Sequence, residues 1–270
     1  MFQPVIPMGG LGGWRFLQQT YDSQFKTFTQ NTQLQRNTEY FRENIGSIET
    51  AEQLVADRRL LTVALGAFGL QDDINNRYFI RKILEEGTVS DDALANRFTD
   101  PRYKEMSQAF GFGPGEYLKV GEPVFVAAII DRFEAIEFEI AAGDQNETMR
   151  YALYAERQMA ILAQDDISND AKWYTLMSEA PLRDIFEKAL NLPSSFGQID
   201  LEQQLGVFKA RAKKEFGSDD LRLPARPWPK TTQARGGAES PCRLLGLSLG
   251  YIGLRGSSWH LHHRGRAFYG

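Results

Sequence analysis

The 270-residue chain has a single cysteine, Cys242, so it can form no internal disulfide and no cysteine-based metal cluster. Its three histidines, His260, His262 and His263, all lie near the C-terminus, and residues 1–220 contain neither His nor Cys. That absence excludes Ser-His-Asp and Cys-His nucleophilic sites from the body, together with His-based zinc sites. Apolar runs are short. The most apolar stretch, residues 124–130, is about a third of the roughly 20 residues that a bilayer-spanning helix needs. The opening MFQPVIPMGGLGGW has no basic segment before an apolar core, so no secretory signal peptide is expected. A P-loop, a dinucleotide-binding glycine motif and a nucleophile elbow are all missing. The glycine cluster GGLGG at residues 9–13 follows no strand and precedes no Lys-Ser/Thr, so it is expected to be a flexible lead-in.

What is present divides unevenly. The chain carries 31 Lys and Arg against 35 Asp and Glu, a net −4. From residue 221 on there are eight basic residues and one acidic, which leaves 23 basic and 34 acidic, a net −11, in residues 1–220. An acidic body argues against nucleic acid as its partner. The tail, residues 221–270, is basic and irregular, rich in Arg, Gly, Pro and Ser. It has three readings: a flexible phosphate-binding arm, an ordered module, and the out-of-frame translation of a GC-rich gene. The last is preferred, and the tail is not used to anchor function.

The body is punctuated by helix signals. Trp14, Leu17, Tyr21, Phe25 and Phe28 form one amphipathic stripe. Thr50 with Gln53 has capping-box spacing and opens a helical stretch ending at Phe68-Gly69. Asp72 is expected to cap the next helix, which runs to Gly87, and Ser90 with Asp91 and Asp92 to start another. Asp100-Pro101 opens a helix that closes at Gly111, and residues 113–121 form a turn-rich connector. A long helix is predicted from Pro123 to Ala142, closed by Gly143, and Asn146 begins another. Ser168 and Pro181 start two more, and Asp200 caps the last, which ends at Phe216-Gly217. Three helix ends look alike, at Ala67-Phe68-Gly69-Leu70, Ala109-Phe110-Gly111-Phe112 and Ala189-Leu190-Asn191-Leu192, with Gly or Asn at the left-handed position. Strand signals are nearly absent. The expected fold is all-α: a multi-helix, bundle-like domain over residues 51–220, with an N-terminal helical extension over residues 1–50 and the tail beyond.

Carboxylates are the remaining chemistry. Asp131, Glu134 and Glu137 recur at i, i+3 and i+6 on the long helix, with Glu139 off that face. Helical carboxylate pairs can hold two metals, but such bundles also use a Glu-x-x-His motif, which is missing. A solvated acidic face is therefore expected. The pairs Asp72-Asp73, Asp91-Asp92, Asp165-Asp166 and Asp219-Asp220 lack calcium-loop spacing and sit where helices begin or chains turn. Arg58, Arg59, Arg77 and Arg81 could gather into a basic patch, but Glu85 follows Arg81 at i+4, so local ion pairing is expected. No catalytic, cofactor-binding or metal-ligating residue is assigned.

Read together, ADRRLLTVALGAFGL, YFIRKILEEG, LANRFTDPRYKEMSQAFGFG, ALYAERQMA and the segment from APLRDIFEKALNL to KARAKKEFG resemble the DUF1217 family. The opening QPVIPMGGLGGWRFLQQTYDSQF resembles the leader of its α-proteobacterial members. The resemblance covers about residues 1–220 and carries no catalytic residues. It implies a flagellum-associated role, through contacts with other flagellar proteins, in the cytoplasm or in the flagellum itself. A non-enzymatic structural or assembly component is the expected function. A cytoplasmic flagellar regulator or export chaperone is the alternative, with a carboxylate-metal enzyme third. The LANRFT segment at 94–99 is similar to the Leu-Ala-Asn-x-x-Thr signature of flagellar rod and hook proteins. That signature opens their chains, whereas this one lies mid-chain, so it is read as coincidence.

Overall fold

The computed structural model of the chain describes residues 2–221. The Cys242, His260, His262 and His263 side chains and the three readings of the tail lie outside the described residues. Among those residues the chain forms twelve α-helices and no strand, the all-α class predicted from sequence. In order these are α1 (Gly10–Thr29), α2 (Thr32–Asn44), α3 (Ala51–Ala56), α4 (Arg58–Gly66), α5 (Arg77–Glu86), α6 (Leu94–Arg97), α7 (Pro101–Phe110), α8 (Pro123–Gln145), α9 (Glu147–Gln164), α10 (Asn169–Ser178), α11 (Ala180–Ala189) and α12 (Leu201–Phe216). None is long and apolar enough to cross a membrane. The chain divides into two compact units, one of Met1–Ile6 with Phe16–Tyr154, the other of Pro7–Arg15 with the chain from Ala155.

The first unit is built around α4. Leu60, Leu61, Val63, Ala64 and Leu65 are all buried there, so α4 is apolar on nearly every side and must be surrounded. It is enclosed by α2, α3 and α8. Gly66 makes room for the ring of Phe133 on α8: a Cβ at Gly66 would lie 2.6 Å from that ring. Further along α8, Phe138 is fully buried and receives the rings of Tyr21, Phe25 and Phe28 from α1 edge-on, at 5.2 to 5.5 Å.

The second unit has its own aromatic core. Trp173 on α10 meets Phe186 of α11 and Phe208 of α12, and Phe196 packs edge-on against Phe208. The indole N–H of Trp173 and the side-chain amide of Asn169 both donate to the carbonyl of Asp219, and Asn169 Oδ1 accepts the N–H of Leu221 at 2.9 Å. Residues 219–221 are thereby tied to the first turn of α10.

Most predicted caps are in place. Asp100 accepts the N–H of Arg102 with Pro101 in the first turn, Ser168 accepts that of Ala171, and Asp200 that of Glu202. The three matching ends share a left-handed residue, with φ of 68° at Gly69, 73° at Gly111 and 51° at Asn191; the N–H of Leu70 and of Leu192 then reaches back to Leu65 and Glu187, whereas at the third end the N–H of Gly111 itself bonds Ser107.

Five expectations about the helices are corrected. Ser90, Asp91 and Asp92 lie in a turn and start no helix: the short α6 that follows has Ala93 at its N-cap, with no side-chain cap bond. Residues 10–13 of the glycine cluster form the first turn of α1 and are not a flexible lead-in. Their helix penalty, about 1 kcal/mol per glycine, is offset by the burial of Trp14 and Leu17 in the next turn. The stretch opened by the Thr50–Gln53 capping box breaks at Asp57, whose extended backbone ends α3 and caps α4. Asp72 caps no helix: residues 71–75 form a 3-10 turn, and α5 starts after Asn76. Gly143 does not close α8, which continues to Gln145, because a glycine inside a helix weakens it without ending it.

Candidate functional site

The ionisable groups singled out from sequence are distributed over separate local tasks. On α8, Asp131 is exposed, Glu134 and Glu137 are half-buried, and Glu139 is buried. The expected solvated acidic face is therefore corrected for all but Asp131. Burial against the packed helices pushes the carboxyls of Glu134 and Glu137 above the ordinary glutamate value. At Glu134 the charge of Asp131 adds to that rise, and Arg42 on α2 opposes it. Among the described residues, no three of His, Cys, Asp and Glu converge on a point where a metal could be held.

The four arginines do not form a patch. Arg58 donates to Asn75, and Arg81 pairs with Glu52 at 3.3 Å and Glu85 at 3.5 Å. Arg59 lies over the ring of Tyr40, 3.9 Å from its centroid, and donates to the carbonyl of Arg36. Arg77 is exposed. Of the acidic pairs, Asp73 makes a side-chain bond to another helix. It accepts the Tyr103 hydroxyl across 30 residues at 2.7 Å, and burial together with that bond pushes the Tyr103 phenol up. Asp72, Asp91, Asp92, Asp165 and Asp166 are exposed or at turns.

Asp57, at the start of α4, serves both its own helix and a distant one. One carboxylate oxygen accepts the N–H groups of Arg59 and Leu60, and the other accepts the Tyr40 hydroxyl at 2.6 Å. Burial pushes this carboxyl up, but the bonds from Tyr40, Leu60 and Arg59 outweigh it and hold the group below the ordinary aspartate value. A second anchor is Lys172, almost wholly buried, whose ammonium donates to the carbonyl of Ala163 in the last turn of α9 at 2.8 Å.

Sequence reasoning missed one polar node altogether. Glu116, in the turn-rich connector, accepts the N–H and the hydroxyl of Thr88 and the N–H of Gly113. Beside it the backbones of Gly87 and Gly113 touch so closely that a Cβ on Gly87 would lie 2.8 Å from the Cα of Gly113. Two turns 28 residues apart are thus clamped by one carboxylate. The glycines were visible as turn signals, but nothing local marks Glu116 as their partner.

Comparison with known proteins gives the chain its relatives. Residues 67–221 match the family described as protein of unknown function (DUF1217). The chain belongs to the DUF1217 family. The matched DUF1217 region opens at the first of the three left-handed helix ends, contains the Glu116 node, and closes at Leu221, where Asn169 holds the backbone. No curated protein matches the chain. A crystal structure of a protein from Agrobacterium tumefaciens superposes with a TM-score of 0.66 at 24% sequence identity, covering 94% of this chain and 100% of that one. At that identity the likeness concerns the fold of this DUF1217 member and extends no further.

Proposed function

We propose that this DUF1217 protein is a non-enzymatic structural or assembly component associated with the bacterial flagellum, acting through protein–protein contacts. The observation that carries the contact half of this reading is how its polar groups are used. Asp57, Asp73, Asp100, Glu116 and Lys172 each serve a helix end or a turn of the chain itself, while apolar side chains such as Val124, at 80% exposed, are presented to solvent. The flagellar half rests on the family resemblance carried by residues 56–113 and 180–217. It predicts that an in-frame deletion of the gene impairs swimming in soft agar and alters filaments seen by electron microscopy. Normal swimming with normal filaments would overturn it. Recovery of the protein in purified hook–basal bodies is expected for a structural component. Its exclusion from them, combined with a motility defect, is the result that a cytoplasmic regulator or export chaperone would give.

A further inference from the structure

Two helices leave a face without a partner, and the two faces are opposite in charge. On α8 the residues directed away from α4 and α2 begin with Pro123, Val124, Ala127 and Ala128, all exposed. This half of the helix is apolar on its solvent side as well as on its core side, a pattern that ordinarily belongs to a buried helix. One turn further along the same strip comes Asp131, exposed and in no hydrogen bond or ion pair among the described residues; Glu134, half-buried and within the field of Arg42 on α2, lies at the edge of the strip. On α12 the outward strip is Gln203, Gly206, Val207 and Ala210, followed by Lys213 and Lys214. A Cβ at Gly206 would meet nothing within 4 Å. The side chains of Lys213 and Lys214 make no ion pair among the described residues, and Glu215 lies off the strip.

We infer that the α8 face of one copy of this chain docks on the α12 face of a second copy, in parallel. The charge pattern selects this occupant. Each strip starts small and apolar and turns charged toward its C-terminal end, acidic on α8 and basic on α12. Val124 to Asp131 and Val207 to Lys214 are both seven residues, about 10.5 Å of helix rise, so apolar and charged halves meet together in one register. Alanine and glycine at the centre let two helix axes approach toward the short end of the 8–10 Å range. An antiparallel arrangement would set the carboxylate of Asp131 against Gly206 and leave the charge pair unmade. Because the two faces differ, the contact is heterologous, and each copy offers one face of each kind, so association propagates beyond a dimer unless the rotation closes a ring. This goes beyond the flagellar reading and does not rest on it.

The experiment is sedimentation velocity on the full chain over a range of concentrations, at low and at high salt. Two charge-reversed proteins accompany it: Asp131→Lys, and Lys213→Glu with Lys214→Glu. All three positions are exposed, and an unchanged helical circular dichroism spectrum confirms that each variant folds. The wild-type protein is expected to sediment faster as concentration rises, and less so at high salt. Each reversed protein alone is expected to associate at least about tenfold more weakly, because like charges face each other across the contact. An equimolar mixture of the two is expected to recover association, since every acidic face then meets a basic one. A wild-type chain that stays monomeric throughout, reversed proteins that associate as wild type does, or a mixture that fails to recover would each overturn the inference. A motility defect in the deletion strain is a separate result and bears only on the flagellar reading.

Discussion

Glu116 Oε1 accepts both the backbone N–H and the hydroxyl of Thr88, each at 2.7 Å, joining two turns that lie 28 residues apart in the chain. Its second oxygen takes the N–H of Gly113 at 3.2 Å. Glu116→Ala is expected to leave these donors without their acceptor and to cost about 1–3 kcal/mol in urea unfolding. Glu116→Gln keeps one acceptor oxygen but turns an amide donor toward other donors, so its loss should be of similar sign and somewhat smaller. A Glu116→Ala protein with the wild-type urea midpoint would show that the clamp contributes nothing.

Gly111 and Gly217 separate backbone conformation from space. Both end helices in the left-handed region, at φ of 73° and 82°. A Cβ at Gly217 would meet nothing within 4 Å, whereas one at Gly111 would collide with the carbonyl oxygen of Tyr117. Gly217→Ala is expected to cost about 1–2 kcal/mol, from conformation alone. Gly111→Ala adds displacement of the connector and should cost clearly more. Equal losses by calorimetry at the two positions would contradict this account.

Asp57 contributes stability with a definite pH sign. Its carboxyl lies below the ordinary aspartate value of 3.8, so the stabilisation is fully present above that value and is lost as pH falls through the still lower folded-state value. Asp57→Ala should cost about 1 kcal/mol or more at neutral pH, the usual scale for losing an N-terminal cap, and should flatten the acid limb of the stability curve. If the acid limbs of Asp57→Ala and wild type coincide, Asp57 is not the group responsible.

Glu137 acts in the opposite direction. Burial raises its carboxyl above the ordinary glutamate value of 4.5, so the folded state holds the proton more tightly than the unfolded chain does. Its unfavourable contribution is absent below that value, grows as pH rises through the window above it, and is complete once the folded-state carboxyl has ionised. Glu137→Gln is therefore expected to raise the urea midpoint at neutral pH and to leave it unchanged at low pH. A midpoint lowered at neutral pH would mean that the ionised carboxylate is a net stabiliser.

How far the sequence alone reaches depends on the range of each interaction. Asp100-Pro101, Ser168, Asp200 and the left-handed ends at Gly69, Gly111 and Asn191 are settled within about four residues of chain, by a side-chain oxygen meeting a nearby N–H or by a residue that tolerates positive φ. Those features, the all-α class and the family resemblance could be read directly. The break at Asp57 was harder, because what makes it more than a cap is the Tyr40 hydroxyl 17 residues away. The helical glycines of α1 depended on burial of Trp14, which no local rule supplies. Tertiary structure alone decided that α2 and α8 enclose α4, that Glu137 loses its water there, that Glu116 joins Thr88 to Gly113, and that α8 is left with an apolar face exposed. Caps and helix ends are local hydrogen-bonding problems solved by neighbours in sequence. Burial and clamping are set by which distant segments fold against one another.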